Sequence, residues 1–232
     1  MEPSISSATA SLPPDDASPP RDKFIAIGID FGTTFSGVSW ALSEQPDKIH
    51  EISGWPVVNH INQQEVQVPT VYDIDSGKWG YQVTPDMEPV KWFKLLLLND
   101  DDLNKVEHRD IKDSKQLKEA RSQLQEHPDK PTALDIVGIY LKKLWDHTYT
   151  KLKTMMDIDN IPIRVAIPVP ATWPPYTHKI MKRAAKQAGI TSRRPGGEPR
   201  LSIFQEPQSA ILPIVQELNL LPGIKVKPSL HD

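Results

Sequence analysis

Ile25-Ala26-Ile27-Gly28-Ile29-Asp30-Phe31-Gly32-Thr33-Thr34-Phe35-Ser36-Gly37-Val38 carries an apolar run into an acid, a glycine and two hydroxyls, then returns to β-prone residues. A short apolar run bounded by a turn signal reads as a strand covered on both faces, here over residues 24–31, which delivers Asp30 to the strand's end. Gly32 admits backbone angles closed to other residues and lets the main chain approach a ligand with no Cβ in the way. Thr33 and Thr34 set hydroxyls beside backbone N–H groups, a donor set suited to phosphate oxygens. An acid next to phosphates repels them unless a cation lies between. Mg²⁺, which keeps several waters and is held by one or two carboxylates plus the phosphates, meets that need at Asp30. ATP is therefore the leading ligand expectation. The same residue types fit equally a plain hairpin with a Gly-Thr-Thr turn, Asp30 being a solvated loop acid.

The 232 residues suffice for one large domain or two small ones, and 38% hydrophobic content supports a real core. A net charge of -3 exerts no general pull on nucleic acid or anionic membrane, so neither is an expected partner. The absence of cysteine excludes disulfides, thiol catalysis and thiolate metal sites. No apolar run approaches the ~20 residues of a membrane helix. The N-terminus lacks the basic segment and apolar core of a secretory signal, and the expected location is the cytoplasm. Of 23 prolines, five fall in the first 20 residues among Ser, Ala and Asp. Residues 1–22 accordingly read as a disordered lead-in, with too little apolar surface to offset ordering entropy.

Residues 24–31, 35–42 and 48–52 read as a three-strand meander, and residues 66–74 and 78–83 continue the β character around the turn Asp75-Ser76-Gly77. At Pro85 the pattern changes: a proline able to open a helix precedes Val90, Trp92, Phe93 and the run from Leu95 to Leu98. A charged helix is expected near residues 114–125. Thr132 can cap a long helix whose apolar positions Leu134, Val137, Leu141, Leu144, Trp145, Leu152 and Met155 form one stripe, a core-packing pattern. Residues 161–169 read as a strand, 172–188 as a helix ended by Gly189, 201–204 as a strand and 207–218 as a last helix. Alternating strand and helix marks a mixed α/β sheet.

Three further segments bear on the hairpin. They are Val169-Pro170-Ala171-Thr172-Trp173, with a helix running to Ala188-Gly189 behind it; Gln205-Glu206-Pro207-Gln208-Ser209-Ala210 at a second strand-to-helix junction; and Phe93-Lys94-Leu95-Leu96. With Asp30-Phe31-Gly32-Thr33-Thr34-Phe35, their order and approximate spacing resemble the N-terminal lobe of the DnaK-type heat-shock protein 70 ATPases, a branch of the actin-like ATPase superfamily. The resemblance covers residues 24 to about 220. It implies an α/β, ribonuclease H-like lobe with a mixed β-sheet and flanking helices, here residues 23–220, followed by a truncated tail over 221–232.

Carried over residue by residue, the resemblance implies that Asp30 holds Mg²⁺ through water and that Gly32, Thr33, Thr34 and Phe35 form the first phosphate loop. Lys94 matches a lysine near the γ-phosphate, where a point charge stabilises the transferring phosphoryl group; Lys91 is the alternate. Glu206 matches a second carboxylate that orders water or metal, and on its residue type alone it is a helix-start acid favoured by the macrodipole. Pro170 matches a proline that signals between nucleotide and substrate domains. The implied cofactors are ATP and Mg²⁺, and the implied partners are nucleotide and a co-chaperone or client protein.

His178 departs from this pattern, falling where the family commonly places an arginine in interdomain coupling. Nothing in the 232 residues resembles the family's second phosphate hairpin, an Asp followed by three glycines and a Thr. Phosphoryl transfer relies on positioning and electrostatics, so a half-site is expected to hold phosphate weakly and hydrolyse slowly or not at all. Two other readings accompany this one: a non-catalytic interaction module that keeps the fold, and a sugar kinase relative suggested by Gly-Thr-Thr alone.

Lys179, Lys182, Arg183 and Lys186 share one helix face, followed by Arg193 and Arg194. They read as a solvated face or an acidic-partner surface. The seven histidines form no ligand pair, so a structural zinc site is not expected, and no Gly-x-Ser-x-Gly elbow occurs.

Overall fold

The computed structural model describes residues 23–58, 61–62, 64–105 and 109–205. The expected lead-in over 1–22, the tail over 221–232, the helix over 207–218 and Glu206 lie outside the described residues. In chain order the strands are β1 (Ile25–Phe31), β2 (Phe35–Leu42), β3 (His50–Glu51), β4 (Trp55–Pro56), β5 (Ile61–Asn62), β6 (Gln67–Pro69), β7 (Val71–Tyr72), β8 (Val90–Lys91), β9 (Ile163–Val169) and β10 (Arg200–Gln205). The helices are α1 (Asp100–Leu103), α2 (Arg109–Lys112), α3 (Lys115–Glu126), α4 (Ala133–Met155) and α5 (Tyr176–Gln187).

One six-stranded sheet carries the domain in the order β10-β9-β1-β2-β3, with β6 added to β2. β1 runs antiparallel to β2 and parallel to β9, and β9 runs parallel to β10. The sheet is mixed and flanked by helices, as the alternating pattern of the second half indicated. The carboxyl ends of β1, β9 and β10 therefore lie at one edge, the side on which open α/β sheets take ligands.

Side-chain alternation along β1 decides what reaches that edge. Ile25, Ile27, Ile29 and Phe31 are fully buried and lie opposite Leu42, Trp40, Val38 and Ser36 of β2. Burying each such side chain contributes about 1.5–3 kcal/mol. On the other face Ala26 is buried, Gly28 half-buried and Asp30 exposed. Coverage of both faces, expected from the apolar run, thus holds only at the start of β1. Toward its carboxyl end the second face opens, because glycines stand at 28 and 37 where side chains would otherwise shield the acid.

α4 begins as expected at Thr132, whose hydroxyl accepts the Asp135 N–H while the Asp135 carboxylate accepts the Thr132 N–H, a reciprocal capping box. Its buried stripe includes Ile136 and Tyr140 besides Val137, Leu141, Leu144, Trp145 and Leu152, whereas Leu134 is only partly buried and Met155, counted in that stripe, is 59% exposed in the last turn. α5 starts at Tyr176 rather than 172, since a proline at 174 disfavours helical backbone in the residue before it.

The middle of the chain differs more. The strand expected over 66–74 is interrupted at Thr70, whose N–H turns to the Thr34 carbonyl. Over 78–83 only Trp79 bridges to Tyr72. Gly80 then takes φ 55, its missing Cβ leaving space that Val68 Cγ2 fills, and the chain enters a 3-10 turn. No α-helix opens at Pro85. Val90–Lys91 pairs with β7, Trp92 adopts left-handed backbone at φ 59, and Phe93–Leu97 forms a short 3-10 helix. Phe93, Lys94, Leu95 and Leu97 are buried around that turn, so burial all round replaces the one-sided stripe of an amphipathic helix.

Candidate functional site

The β1–β2 turn consists of Gly32, Thr33 and Thr34. A Cβ on Gly32 would stand 2.1 Å from the Phe35 carbonyl oxygen, and Gly32 is not among the glycines with positive φ. Glycine is required here because the hairpin folds tightly onto itself, not because of an unusual backbone angle. Among the described residues no backbone carbonyl accepts the N–H groups of Gly32, Thr33 or Thr34. The Thr34 carbonyl accepts the Thr70 N–H at 2.8 Å, which pins the loop to the β6–β7 junction.

Asp30 projects beside this loop on the open face, opposite Gly37, and among the described residues no hydrogen bond or ion pair engages its carboxylate. Phe35 follows on the same face, 44% exposed. The turn residues Gly32, Thr33 and Thr34 and the exposed Asp30 thus lie side by side at the end of β1. No cluster of three or more His, Asp or Glu suited to a metal occurs among the described residues; Mg²⁺ is ordinarily held by one or two carboxylates together with phosphate and water.

The structure brings Lys94 to the same strand end, from the core face. Its Nζ lies 5.5 Å from the centre of the Phe31 ring and 5.3 Å from that of Trp173, and the residue is 4% exposed. A cation between aromatic faces is held by the ring quadrupoles, more strongly where water is excluded. Lys91, the alternate, is exposed on β8 and pairs with Val71. Trp173 belongs to the turn after β9, its N–H donating to the Pro170 carbonyl at 3.0 Å. β1 and β9 pair only as far as Gly28 and Ala166, so their last residues leave the shared ladder, and Pro168, which has no N–H to offer, falls in that stretch. Gln205 pairs with Val169 at this edge and is the last described residue; Glu206 lies outside the described residues.

The segment carrying Lys94 is tied to α5 by a residue that the motif reading did not single out. Tyr176 Oη accepts the Asn99 N–H at 2.9 Å and donates to Asp102 Oδ2 at 2.7 Å. Burial pushes the Tyr176 hydroxyl up from its ordinary pKa. His178, two residues on, keeps Nε2 buried with no partner among the described residues. Lys179, Lys182, Arg183 and Lys186 are exposed and join no ion pair among the described residues, as a solvated face would. Arg194 departs from that surface: its guanidinium turns inward, 5.1 Å from the centre of the Tyr149 ring. A groove of about 440 Å³ between α3 and the start of α4, lined by Leu96, Arg121, Leu124 and Lys130 among others, involves none of the site residues.

No family model matches the chain. Among curated proteins it is similar to heat shock 70 kDa protein 12A of Mus musculus, 26% identical over 207 residues that make up 84% of this chain and 30% of that protein. The Homo sapiens protein of the same name is 25% identical over 202 residues, 80% of this chain and 28% of the relative. The chain thus spans less than a third of the curated relatives it matches. The mixed α/β chain and these heat shock 70 kDa proteins are distantly related.

Proposed function

We propose that residues 23–220 form the N-terminal lobe of an actin-like, heat-shock-70-type ATPase domain, and that the Gly32–Thr34 turn holds the phosphates of Mg-ATP. The observation that carries this reading is the set of three loop N–H groups with no backbone acceptor among the described residues, beside an Asp30 carboxylate that no described residue engages, at the edge where parallel strands end. Gly32, Thr33 and Thr34 would receive phosphate oxygens, with Phe35 flanking the nucleotide. Asp30 would hold Mg²⁺ through its waters. When bound, the ion neutralises phosphate charge that the acid would otherwise repel. Distant similarity to heat shock 70 kDa protein 12A supports the same class. A chaperone role with co-chaperone or client partners, in the cytoplasm, is part of the same proposal.

Calorimetric titration of Mg-ATP into the chain and into Asp30→Asn tests the site. Binding by the first and at least a tenfold loss in the second is the expected result, about 1.4 kcal/mol or more; equal affinities overturn the role of Asp30 and the loop.

A second reading, a lobe that binds without turning nucleotide over, is favoured by Lys94. As placed, its ammonium lies among aromatic rings rather than on the open face with Asp30. Steady ATP hydrolysis that disappears in Lys94→Ala overturns this second reading.

A further inference from the structure

Beneath the hairpin lies a buried cluster of three hydroxyls. Ser36 Oγ and Thr70 Oγ1 share a hydrogen bond of 2.8 Å, with both residues essentially inaccessible to solvent. The third hydroxyl comes from Tyr140, in the first half of α4 and fully buried, which donates to the Pro69 carbonyl at 2.8 Å. Burial pushes this phenol far above its ordinary pKa, with the Ser36 and Thr70 hydroxyls acting in the opposite sense. The group stays protonated and able to donate.

These contacts lead directly to the loop. Pro69 lies opposite Phe35, Val68 opposite Ser36, and the next residue, Thr70, donates its N–H to the Thr34 carbonyl. The Tyr140 ring meanwhile packs 5.9 Å from the centre of Phe31 and 5.5 Å from that of Phe93. Phe31 precedes Gly32, and Phe93 precedes Lys94. One side chain therefore braces the hairpin by its hydroxyl and both flanks of the strand end by its ring. A core that needed only apolar volume at this position would be served by Phe, whereas a hydroxyl buried here has to be matched by partners.

We propose that Tyr140 is a positioning residue for the phosphate hairpin: through Pro69 and Thr70 it holds the Thr34 carbonyl inward, so that the loop N–H groups face outward to a phosphate. The ligand half of this statement rests on the function proposed above. The anchoring half does not.

Tyr140→Phe keeps the ring and removes the hydroxyl. Thr70→Val removes a hydroxyl of the cluster, keeps its N–H and leaves α4 untouched. In each variant, hydrogen exchange is measured amide by amide without nucleotide, and Mg-ATP affinity is measured by calorimetry. Thr132→Ala, at the start of the same helix, controls for general destabilisation. Loss of one buried hydrogen bond corresponds to roughly a three- to tenfold effect. Exchange at the Thr70 amide should quicken by that factor relative to β9 and β10, and Mg-ATP affinity should fall by a similar factor, with neither change in the control. Thr70 exchange that tracks β9 and β10 in both variants overturns the anchoring. Faster exchange with unaltered Mg-ATP affinity overturns the link to phosphate. A wild-type chain that takes up no Mg-ATP overturns the site reading itself, and the exchange result, which needs no nucleotide, still decides the anchoring.

Discussion

The two sides of the β1 terminus carry opposite arrangements of polar groups. On the open face, Asp30 and the N–H groups of Gly32, Thr33 and Thr34 stand without partners among the described residues. On the core face, Lys94 is enclosed between Phe31 and Trp173 and is 4% exposed. Both sides gather residues that the motifs assign to a single phosphate site, yet only the hairpin is presented to an incoming ligand. Local donors arranged by a tight turn are available for binding as soon as the hairpin forms. A cation delivered by a distant segment takes whatever environment packing provides, and here the Phe31 and Trp173 rings are part of it.

The largest effect is expected where the two sides meet. Phe31→Ala removes the ring beneath Lys94 and the contact to Tyr140, and should cost about 3–5 kcal/mol by denaturant unfolding, with Lys94 becoming reactive toward acylating reagents. Persistent protection of Lys94 in that variant would show that Phe31 is not what shields it. Gly32→Ala strikes the hairpin side, because the new Cβ meets the Phe35 carbonyl. Overpacking of this kind should cost about 1–3 kcal/mol and abolish the Mg-ATP heat, while Lys94 stays protected.

Thr132→Ala removes the capping hydroxyl of α4, remote from both sides, and should cost about 0.5–2 kcal/mol with Mg-ATP affinity unchanged. An affinity loss there would mean that the hairpin responds to any loosening of α4. The smallest effect concerns His147, which packs on Trp55 and lies 3.3 Å from the Ser53 carbonyl. Burial lowers its pKa below the ordinary histidine value, so the unfolded chain binds the proton more readily. Its contribution is complete above about pH 6.5 and is lost as pH falls through the folded value. His147→Gln should flatten that part of the stability–pH curve, measured by unfolding between neutral and mildly acid pH.

Residues 24–42 were legible because a hairpin is a local object: turn chemistry, period-two alternation and a close-contact glycine all lie within a few residues of each other. α4 was legible for a similar reason, its cap and stripe being set by near neighbours. Tyr140 fits the same spacing as Val137 and Leu144, but hydropathy alone passes over a phenol whose partners are 71 residues away at Pro69. Residues 78–98 misled because a left-handed Trp92 and a buried Lys94 make sense only against Phe31, Trp173 and α4.

The sequence by itself determined the mixed sheet's first hairpin, the capped long helix and the motif order that points toward heat-shock 70 kDa proteins, because those depend on short-range sterics and periodicity. Only the tertiary structure decided that Lys94 comes to β1 from the core side, that the second face of β1 opens at Asp30, and that a tyrosine of α4 reaches the hairpin anchor. These depend on which distant surfaces exclude water together, and burial of that kind is a property of the whole packed chain.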